Sequence, residues 1–225
     1  MKVTVIIPIV SPGRLSSLYR EIESIQAGTY KDVHIVVVVD GDQRLYKLIK
    51  SANGNLSLQN ISIILNASRM DWVFSQNWVL KRFVSDYYIC ASDDFVFPPD
   101  CIENAVKTMQ EHFPDGFGAV SLWKTNNAAI GLFGRKLVEH FPECEMFCPE
   151  YTHYCADWEC VWFVRKLKKL ANLPGGENQV KHVGGKYDDT YSLSQKVREK
   201  DAERRRKRQE KGYLWGIDFN LLTKR

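Results

Sequence analysis

Two adjacent carboxylates in this 225-residue chain have the residue type and position needed to bind a metal ion. Asp93 and Asp94 directly follow the apolar segment YYICAS at residues 87–92, which has the pattern of a buried strand. Because adjacent carboxylates repel each other, their place after such a strand is costly unless a cation lies beside them. Mg²⁺ is usually held by one or two carboxylates together with substrate phosphates. The pair therefore indicates a divalent-metal site, and a helix-capping turn is the alternative interpretation.

A third carboxylate, Asp157, begins the segment DWECVWFVRKLKKL at residues 157–170. Acidic residues come first in this segment and basic residues come last, which is the polarity that a helix dipole favours. In the first turn of a helix a carboxylate is kept charged, and it can then take the proton of an attacking hydroxyl group. Asp is also a common N-cap residue, so a purely structural role is the alternative.

Polar groups also lie at the ends of two earlier predicted strands. Asp40 ends the apolar run VHIVVVVD at residues 33–40, and Pro8 lies near the end of VTVIIPIV at residues 3–10, before an S-P-G turn. In open α/β sheets, ligands bind at the carboxyl ends of the strands. A nucleotide could therefore lie across these strand ends, with the Asp40 carboxylate accepting a hydrogen bond from a base or ribose. Asp-Gly is also a common turn pair, so a structural turn is the alternative.

The elements that position these residues alternate along the first half of the chain. Continuous apolar runs predict buried strands, and apolar stripes at helical spacing predict the helices between them. We expect strands at residues 3–9, 33–40, 61–65, 87–92, 118–123, 128–133 and 180–183, and helices after the S-P-G turn, at 73–83, after Pro99, at 136–141 and at 157–170. The alternation predicts an α/β fold with a mostly parallel central sheet flanked by helices.

The C-terminal part differs from the rest in charge. Residues 196–211 contain nine Lys or Arg and four Asp or Glu, whereas the whole chain has a net charge of only +4. We expect a catalytic domain over residues 1–190 and a long charged helix within an extension over 191–225. The extension is expected to pack on the domain or on a partner chain, including a second copy. Its basic face is either solvated or a contact for an anionic membrane or nucleic acid.

Composition fits one globular domain, with 44% hydrophobic and 26% charged residues. No apolar run approaches the length of a membrane span, and the N-terminus lacks the features of a signal peptide. The six cysteines contain no C-x-x-C pair, so we expect reduced thiols and no zinc site. Together these features predict a soluble, cytoplasmic protein.

The ordered series VTVIIPIV, VVVVDGD, ICASDDFVFPPD and CADWEC, with Asn77 between the second and third, resembles family 2 of the inverting glycosyltransferases. The resemblance covers roughly residues 3–190 and implies the GT-A fold. It also implies transfer of a sugar from a nucleoside-diphosphate sugar, with UDP the commonest nucleotide, assisted by Mn²⁺ or Mg²⁺. The acceptor would be a hydroxyl group on a glycan, a lipid-linked molecule or a protein.

The resemblance also implies roles for single residues. Asp157 corresponds to the general base, although Ala156 replaces the acidic residue that precedes it in the family. Asp94 and His182 correspond to metal ligands, with the roles of Asp93 and Asp94 interchangeable because a strict D-x-D is absent. Trp158 is a candidate on the acceptor side. The residues expected to contact the donor are Pro8, Asp40, Arg69, Asn77 and Asp93.

Two other functions compete with glycosyl transfer. A sugar-phosphate nucleotidyltransferase would need a glycine-rich loop after the first strand, and the S-P-G-R segment has a single glycine. A non-catalytic binding module would use the basic C-terminal helix to contact a polyanion. No G-x-G-x-x-G motif follows a predicted strand, which argues against a dinucleotide-dependent oxidoreductase.

Overall fold

A computed structural model describes residues 1–51, 60–123, 129–176, 179–183 and 189–211. A central sheet of seven strands forms the framework. Its first two strands, in residues Val3–Ile9 and Val33–Asp40, come from continuous apolar runs because helices cover both of their faces. In chain order the strands are β1 (Val3–Ile9), β2 (Val33–Asp40), β3 (Ile61–Asn66), β4 (Tyr87–Cys90), β5 (Phe95–Val96), β6 (Ala119–Ser121), β7 (Gly131–Gly134), β8 (Leu170–Asn172) and β9 (Lys181–His182).

The seven strands lie in the order β3-β2-β1-β4-β7-β6-β8. Only β7 runs antiparallel to its neighbours β4 and β6 in this sheet. Strands β5 and β9 form a separate antiparallel pair, which sets Phe95 opposite His182. The prediction of a mostly parallel sheet flanked by helices is confirmed.

Helices cover both faces of the sheet. The side chains of β1 alternate between the two layers, with Val5 and Ile7 in one apolar cluster and Ile6 in the other. The first cluster includes residues of α1, α2 and α4, and the second includes residues of α3, α5 and α6. The helices are α1 (Leu15–Gln26), α2 (Gln43–Ser51), α3 (Asp71–Arg82), α4 (Cys101–His112), α5 (Arg135–Glu139), α6 (Ala156–Lys166) and α7 (Asp189–Glu210).

The helix predicted over residues 157–170 is shorter in the structure. Helix α6 ends at Lys166, and Lys168 adopts a left-handed backbone with φ of 56° that turns the chain away from the helix axis. Leu170 then enters β8, which pairs with β6 at the edge of the sheet. The basic residues at the end of this segment continue the helical pattern in the sequence. In the structure the chain leaves the helix there, because Leu170 pairs with β6 as part of a strand.

Helix α7 is charged on all sides and is attached to the body by hydrogen bonds and ion pairs. Asp201 is fully buried, and its carboxylate accepts hydrogen bonds from the backbone N–H groups of Thr152, His153 and Tyr154. Arg204 binds the same carboxylate at 2.8 Å. The middle of α7 therefore fixes the loop that leads into α6.

A second attachment joins α7 to the first turn of α6. Arg208 donates to both oxygens of the buried Glu159, at 2.7 and 2.6 Å, and to Glu150 at 2.6 Å. The Tyr151 hydroxyl donates to Glu159 at 2.9 Å. Residues 212–225 of the expected C-terminal extension lie outside the described residues. Among the described helices, none combines the length and apolar character that crossing a bilayer requires.

Substitution Asp201→Ala should destabilise the protein, because it leaves three backbone N–H groups of the 152–154 loop without their acceptor. An unsatisfied buried donor is costly, so we expect the free energy of unfolding to fall by about 3 kcal/mol. Urea unfolding followed by circular dichroism measures the change.

The matched control is Glu203→Ala on the same helix. Glu203 is exposed, and its one ion pair among the described residues is with the exposed Lys207, so its removal should leave the urea midpoint unchanged. Equal midpoints for the two variants would contradict the anchoring role of Asp201.

Candidate active site

The carboxyl ends of β1 and β4 lie side by side and carry the charged centre of the site. After β1, a single 3-10 turn at Pro12–Arg14 leads into α1, and the Ser11 hydroxyl caps this turn by accepting the N–H of Gly13. The turn points Arg14 at the carboxylates that follow β4. Strand order therefore joins residues that are about 80 positions apart in sequence.

Arg14 bridges the two adjacent carboxylates. Its Nη2 lies 2.6 Å from Asp93 Oδ1 and 2.8 Å from Asp94 Oδ2, and both aspartates are buried. Burial raises the pKa of Asp93 to about 6, with the Arg14 guanidinium opposing this rise. The cation that the sequence pattern requires beside this pair is thus supplied, at least in part, by the protein itself.

A third acid, Glu21, lies behind the pair. It is fully buried on α1 and accepts the backbone N–H of Phe95 at 3.2 Å. Burial raises the pKa of Glu21 well above its usual range, and the charges of Asp93 and Asp94 raise it further. The centre therefore combines one arginine with two aspartates and a glutamate that favours its neutral form.

The two predicted metal ligands are in contact. His182 Nε2 lies 3.0 Å from Asp94 Oδ2, and the ring packs against Phe95 with 5.2 Å between centroids. The β5–β9 pair produces this contact, because it sets His182 opposite Phe95, the residue after Asp94. The other carboxylate oxygen, Asp94 Oδ1, is buried and has no hydrogen-bond partner within the described ranges.

These residues fit a metal ion only in part. Among the described residues, no group of three or more His, Cys, Asp or Glu side chains could hold a metal. The unpartnered Asp94 Oδ1 and the imidazole of His182 could supply two ligands, and diphosphate oxygens of a bound donor would supply others. The described side chains therefore supply at most part of a metal's ligand set.

Asp157 lines a cavity of about 620 Å³ that His182 also lines. The residue before α6, Cys155, has a left-handed backbone with φ of 71°, which is uncommon outside glycine and frequent at functional sites. Burial raises the pKa of Asp157 to about 6, although backbone N–H groups at the helix start oppose this. The predicted base and the predicted metal ligand thus share one cavity.

Trp158 lines the same cavity, and 63% of its surface is exposed. The guanidinium of Arg205 lies over its ring, 5.6 Å from the centroid. An exposed indole with one open face provides a flat apolar surface of the kind that stacks on sugar rings. The acceptor-side role of Trp158 stays a prediction.

Asp40 and Arg69 lie together at the ends of β2 and β3. Asp40 is buried, and it accepts hydrogen bonds from Asn66 Nδ2 at 2.9 Å and from the N–H groups of Met70 and Asp71 at 2.9 and 2.8 Å. It therefore shapes the β3–α3 connection and keeps one of about four acceptor positions for a ligand.

Gly41 allows this connection to approach closely. Its φ is +80°, and a Cβ atom there would lie 2.5 Å from the backbone nitrogen of Arg69. The side chain of Arg69 is exposed and contacts Asp71 at 2.9 Å. Pro8 is the penultimate residue of β1, paired with Val38, and its ring lies in the buried sheet.

Asn77 is placed apart from the other predicted donor residues. Asn77 lies in the middle of α3. Its Nδ2 donates to the Phe147 carbonyl oxygen at 2.6 Å, and its Oδ1 accepts the Phe147 N–H at 3.1 Å. Its side chain borders a different cavity, which Lys81 and Tyr151 also line. The structure gives Asn77 a structural role, because holding the Phe147 loop uses both ends of its amide. The contact of Asn77 with the donor stays a prediction.

Three basic residues at the site were missed by sequence reasoning. Arg14 appears in the sequence only as the last residue of an S-P-G-R turn, and its pairing with Asp93 depends on β1 and β4 being neighbours. Arg198 and Arg205 of α7 line the cavity of Asp157. They lie in a charge run whose usual explanation is a solvated helix face.

Comparisons with known proteins agree with this arrangement. The family described as "Glycosyl transferase family 2" matches residues 4–129, which is more than half of the chain. The chain belongs to glycosyltransferase family 2. The match includes β1, β2, β4 and the Asp93-Asp94 pair, and it ends before α6.

Individual relatives extend beyond the family match. A glucosyl-dolichyl phosphate glucuronosyltransferase of Haloferax volcanii is 27% identical over 193 residues, covering 84% of this chain and 56% of the relative. The mannosyltransferase PcManGT of Pyrobaculum calidifontis, solved with GDP-Man and Mn²⁺, superposes with a TM-score of 0.67 at 16% identity. The match covers 89% of this chain and 61% of the PcManGT chain. TarS 1–349 of S. aureus, solved with UDP-GlcNAc, has a TM-score of 0.66 at 13% identity and covers 85% and 61%.

These relatives confirm the GT-A-type fold that the resemblance implied. The chain spans only a little more than half the length of each of them. At identities of 13–16%, the solved structures show the fold alone.

Substitution Arg14→Gln should destabilise the protein more at pH 8 than at pH 5. The folded-state pKa of Asp93 is already raised to about 6, so the cost of its charged form grows as pH rises toward that value and is complete above it. Without Arg14 this pKa rises further, and two adjacent buried carboxylates lose their cation. We expect a loss of about 3 kcal/mol at pH 8, measured by urea unfolding at both pH values.

Arg20→Gln is the control, since Arg20 is exposed on α1 and contacts only Ser17 in the described structure. Equal losses for Arg14→Gln at pH 5 and pH 8 would show that charge neutralisation is not the role of Arg14. Added Mn²⁺ should restore part of the stability of Arg14→Gln and leave Arg20→Gln unchanged.

Proposed function

We propose that this chain transfers a sugar from a nucleoside-diphosphate sugar to an acceptor hydroxyl group with inversion at the anomeric carbon, and that a divalent metal assists. The observation that supports this most is the shared cavity of about 620 Å³, which brings Asp157 together with His182 and, through it, Asp94. Membership of glycosyltransferase family 2 favours this activity over a nucleotidyltransferase or a non-catalytic module.

The donor side would use the ends of β1, β2 and β4. Asp40 has one acceptor position left for a base or ribose group, and Arg14 lies at the pair Asp93-Asp94 where the diphosphate would bind. A divalent ion held by Asp94 and His182 would neutralise the negative charge that the departing diphosphate gains. Arg14 adds a positive charge at the same place, so it would act beside the ion rather than replace it.

We propose UDP as the nucleotide of the donor, with Mn²⁺ or Mg²⁺ as the ion. One similar structure was solved with UDP-GlcNAc and another with GDP-Man and Mn²⁺, so both nucleotides occur on this fold. UDP is the commoner of the two in the family that the sequence resembles. The donor screen described below distinguishes them.

The acceptor side would use Asp157 as the general base. Inversion by a single displacement needs the hydroxyl group and its base to face the anomeric carbon from the side opposite the leaving group. A carboxylate with a pKa near 6 is ionised at neutral pH and is a stronger base than an ordinary aspartate. The rise in pKa comes mainly from burial at the start of α6, so the fold itself tunes this residue.

The donor prediction is tested by a thermal-shift screen of UDP-, GDP- and ADP-sugars with and without Mn²⁺. A ligand that binds only the folded state raises the melting temperature by mass action, and we expect the largest shift for a UDP-sugar with Mn²⁺. Asp94→Asn and His182→Ala should lose the Mn²⁺-dependent part of the shift. A shift of equal size with Mn²⁺ and with EDTA would contradict metal assistance.

The base prediction is tested by Asp157→Asn, which keeps the size of the side chain and removes its basicity. Transfer should fall at least about 100-fold, while the donor-induced thermal shift is retained. In the wild type the rate should fall as pH drops through about 6, because protonation removes the base, and the residual rate of the variant should lack this step.

Trp158→Phe is the matched control for Asp157→Asn. It changes the neighbouring side chain in the same cavity without touching the carboxylate, so the pH step near 6 should persist. Full transfer activity in Asp157→Asn would show that another group acts as the base.

A further inference from the structure

Helix α7 places two arginines in the cavity that contains the proposed base. Arg198 and Arg205 line this cavity together with Asp157, Trp158 and Ala202. The helix is held there by the buried carboxylate of Asp201 and by the bond of Arg208 to Glu159. The contacts that hold α7 therefore also fix the positions of these two arginines in the cavity that contains Asp157.

The arginines of α7 fall into two groups by their partners. Arg204 and Arg208 bind the carboxylates of Asp201, Glu150 and Glu159 and attach the helix to the body. Arg205, which points into the cavity, has a buried Nε–H group with no hydrogen-bond partner in the described part of the chain. Neither Arg198 nor Arg205 forms an ion pair with a carboxylate among the described residues, so both charges remain for a ligand in the cavity.

The spacing of the cavity arginines leaves room between them. Arg198 and Arg205 are seven residues apart, which is close to two helical turns, so they lie on one helix face at a separation of about 10 Å along the axis. Ala202 lies between them in the cavity wall and adds only a methyl group. A group of the size of one sugar ring could occupy this space beside the exposed indole of Trp158.

Within the described structure these arginines contact neutral groups, and Arg198 also donates a hydrogen bond to Gln195 Oε1 at 3.3 Å. The Arg205 guanidinium lies over the Trp158 ring and that of Arg198 over the Tyr154 ring, at 5.6 and 5.8 Å from the centroids. Neither is hydrogen-bonded to Asp157 in the described structure. Burial keeps the pKa of Asp157 near 6, so its carboxylate is not stabilised as an ion-pair partner would be.

We propose that Arg198 and Arg205 bind an anionic group on the acceptor, so that the substrate class is an acidic carbohydrate whose carboxylate or phosphate lies near the attacking hydroxyl group. The guanidinium groups of Arg198 and Arg205 would supply the positive charge for that anion, and the exposed face of Trp158 would stack against the sugar ring. This proposal rests on the proposed function, because it takes the Asp157 cavity as the acceptor site.

The test compares sugars that differ only in charge. The probes are the methyl glycosides of glucose, galactose and mannose, each in its neutral form, as its uronic acid and as its 6-phosphate. Their binding to the chain saturated with UDP and Mn²⁺ is measured by saturation-transfer NMR and calorimetry. We expect at least one anionic probe to bind about tenfold more tightly than its neutral counterpart.

Variants then assign the preference to residues. Arg205→Gln should weaken binding of the preferred anionic probe about tenfold and leave the neutral probe unchanged. Arg198→Gln should have a smaller effect, since Arg198 is more exposed. Arg206→Gln is the matched control, because Arg206 is the next residue on α7 and is exposed to solvent, so it should behave as the wild type.

The outcomes identify the anion that is bound and show which results would overturn the proposal. A preference for the uronic acids or for the 6-phosphates identifies the source of the anion. Equal binding of neutral and anionic probes, no binding of any anionic probe, or equal effects of Arg205→Gln and Arg206→Gln would overturn the proposal. Weaker UDP binding in Arg205→Gln would also overturn it, because the arginine would then serve the donor.

Failure of the proposed function would look different. It would show as absence of the donor-induced thermal shift, which is measured without any acceptor probe. Asp157→Asn provides a further separation, since it should lose transfer and still bind the anionic probe.

Discussion

Two adjacent buried carboxylates at the end of β4 determine how the site is arranged, because each needs positive charge beside it. Asp93 and Asp94 obtain it from Arg14, which the order of β1 and β4 in the sheet brings within 2.6 and 2.8 Å. His182 completes the centre through the β5–β9 pair. Sheet order and one short strand pair thus assemble a centre of both charges from three separate parts of the chain.

The acceptor side depends on a different kind of connection. The described side chains of helix α7 from residue 197 onward are mostly charged, and a helix of this kind is held by specific polar contacts. The buried carboxylate of Asp201 supplies these by accepting three successive backbone N–H groups before α6. The same contacts fix Asp157 and the cavity arginines relative to one another. The acceptor side of the site therefore forms only when α7 is docked on the body.

Sequence reasoning identified the features that depend on local pattern. Strands β1 and β2 are mostly apolar on both faces because helices cover both faces of the sheet, and this pattern is visible in the sequence. Asp94 and Asp157 were found because adjacent carboxylates and an acidic helix start are visible in sequence. Arg14 and Arg205 were not found, because their roles arise from strand order and helix docking. The end of α6 was also misplaced, since pairing of β8 with β6 overrides helix propensity there.

The positive charges of the two cavity arginines would link binding of the acceptor to the basicity of Asp157. Two arginines that closed directly on Asp157 would stabilise its carboxylate and make it a weaker base. In the structure they lie instead over the rings of Trp158 and Tyr154, and burial raises the pKa of Asp157 to about 6. An anionic group bound between the arginines would satisfy their charge and prevent them from turning toward Asp157. The acceptor would then keep its own base active, and a neutral sugar in the same place would leave the arginines free to weaken it.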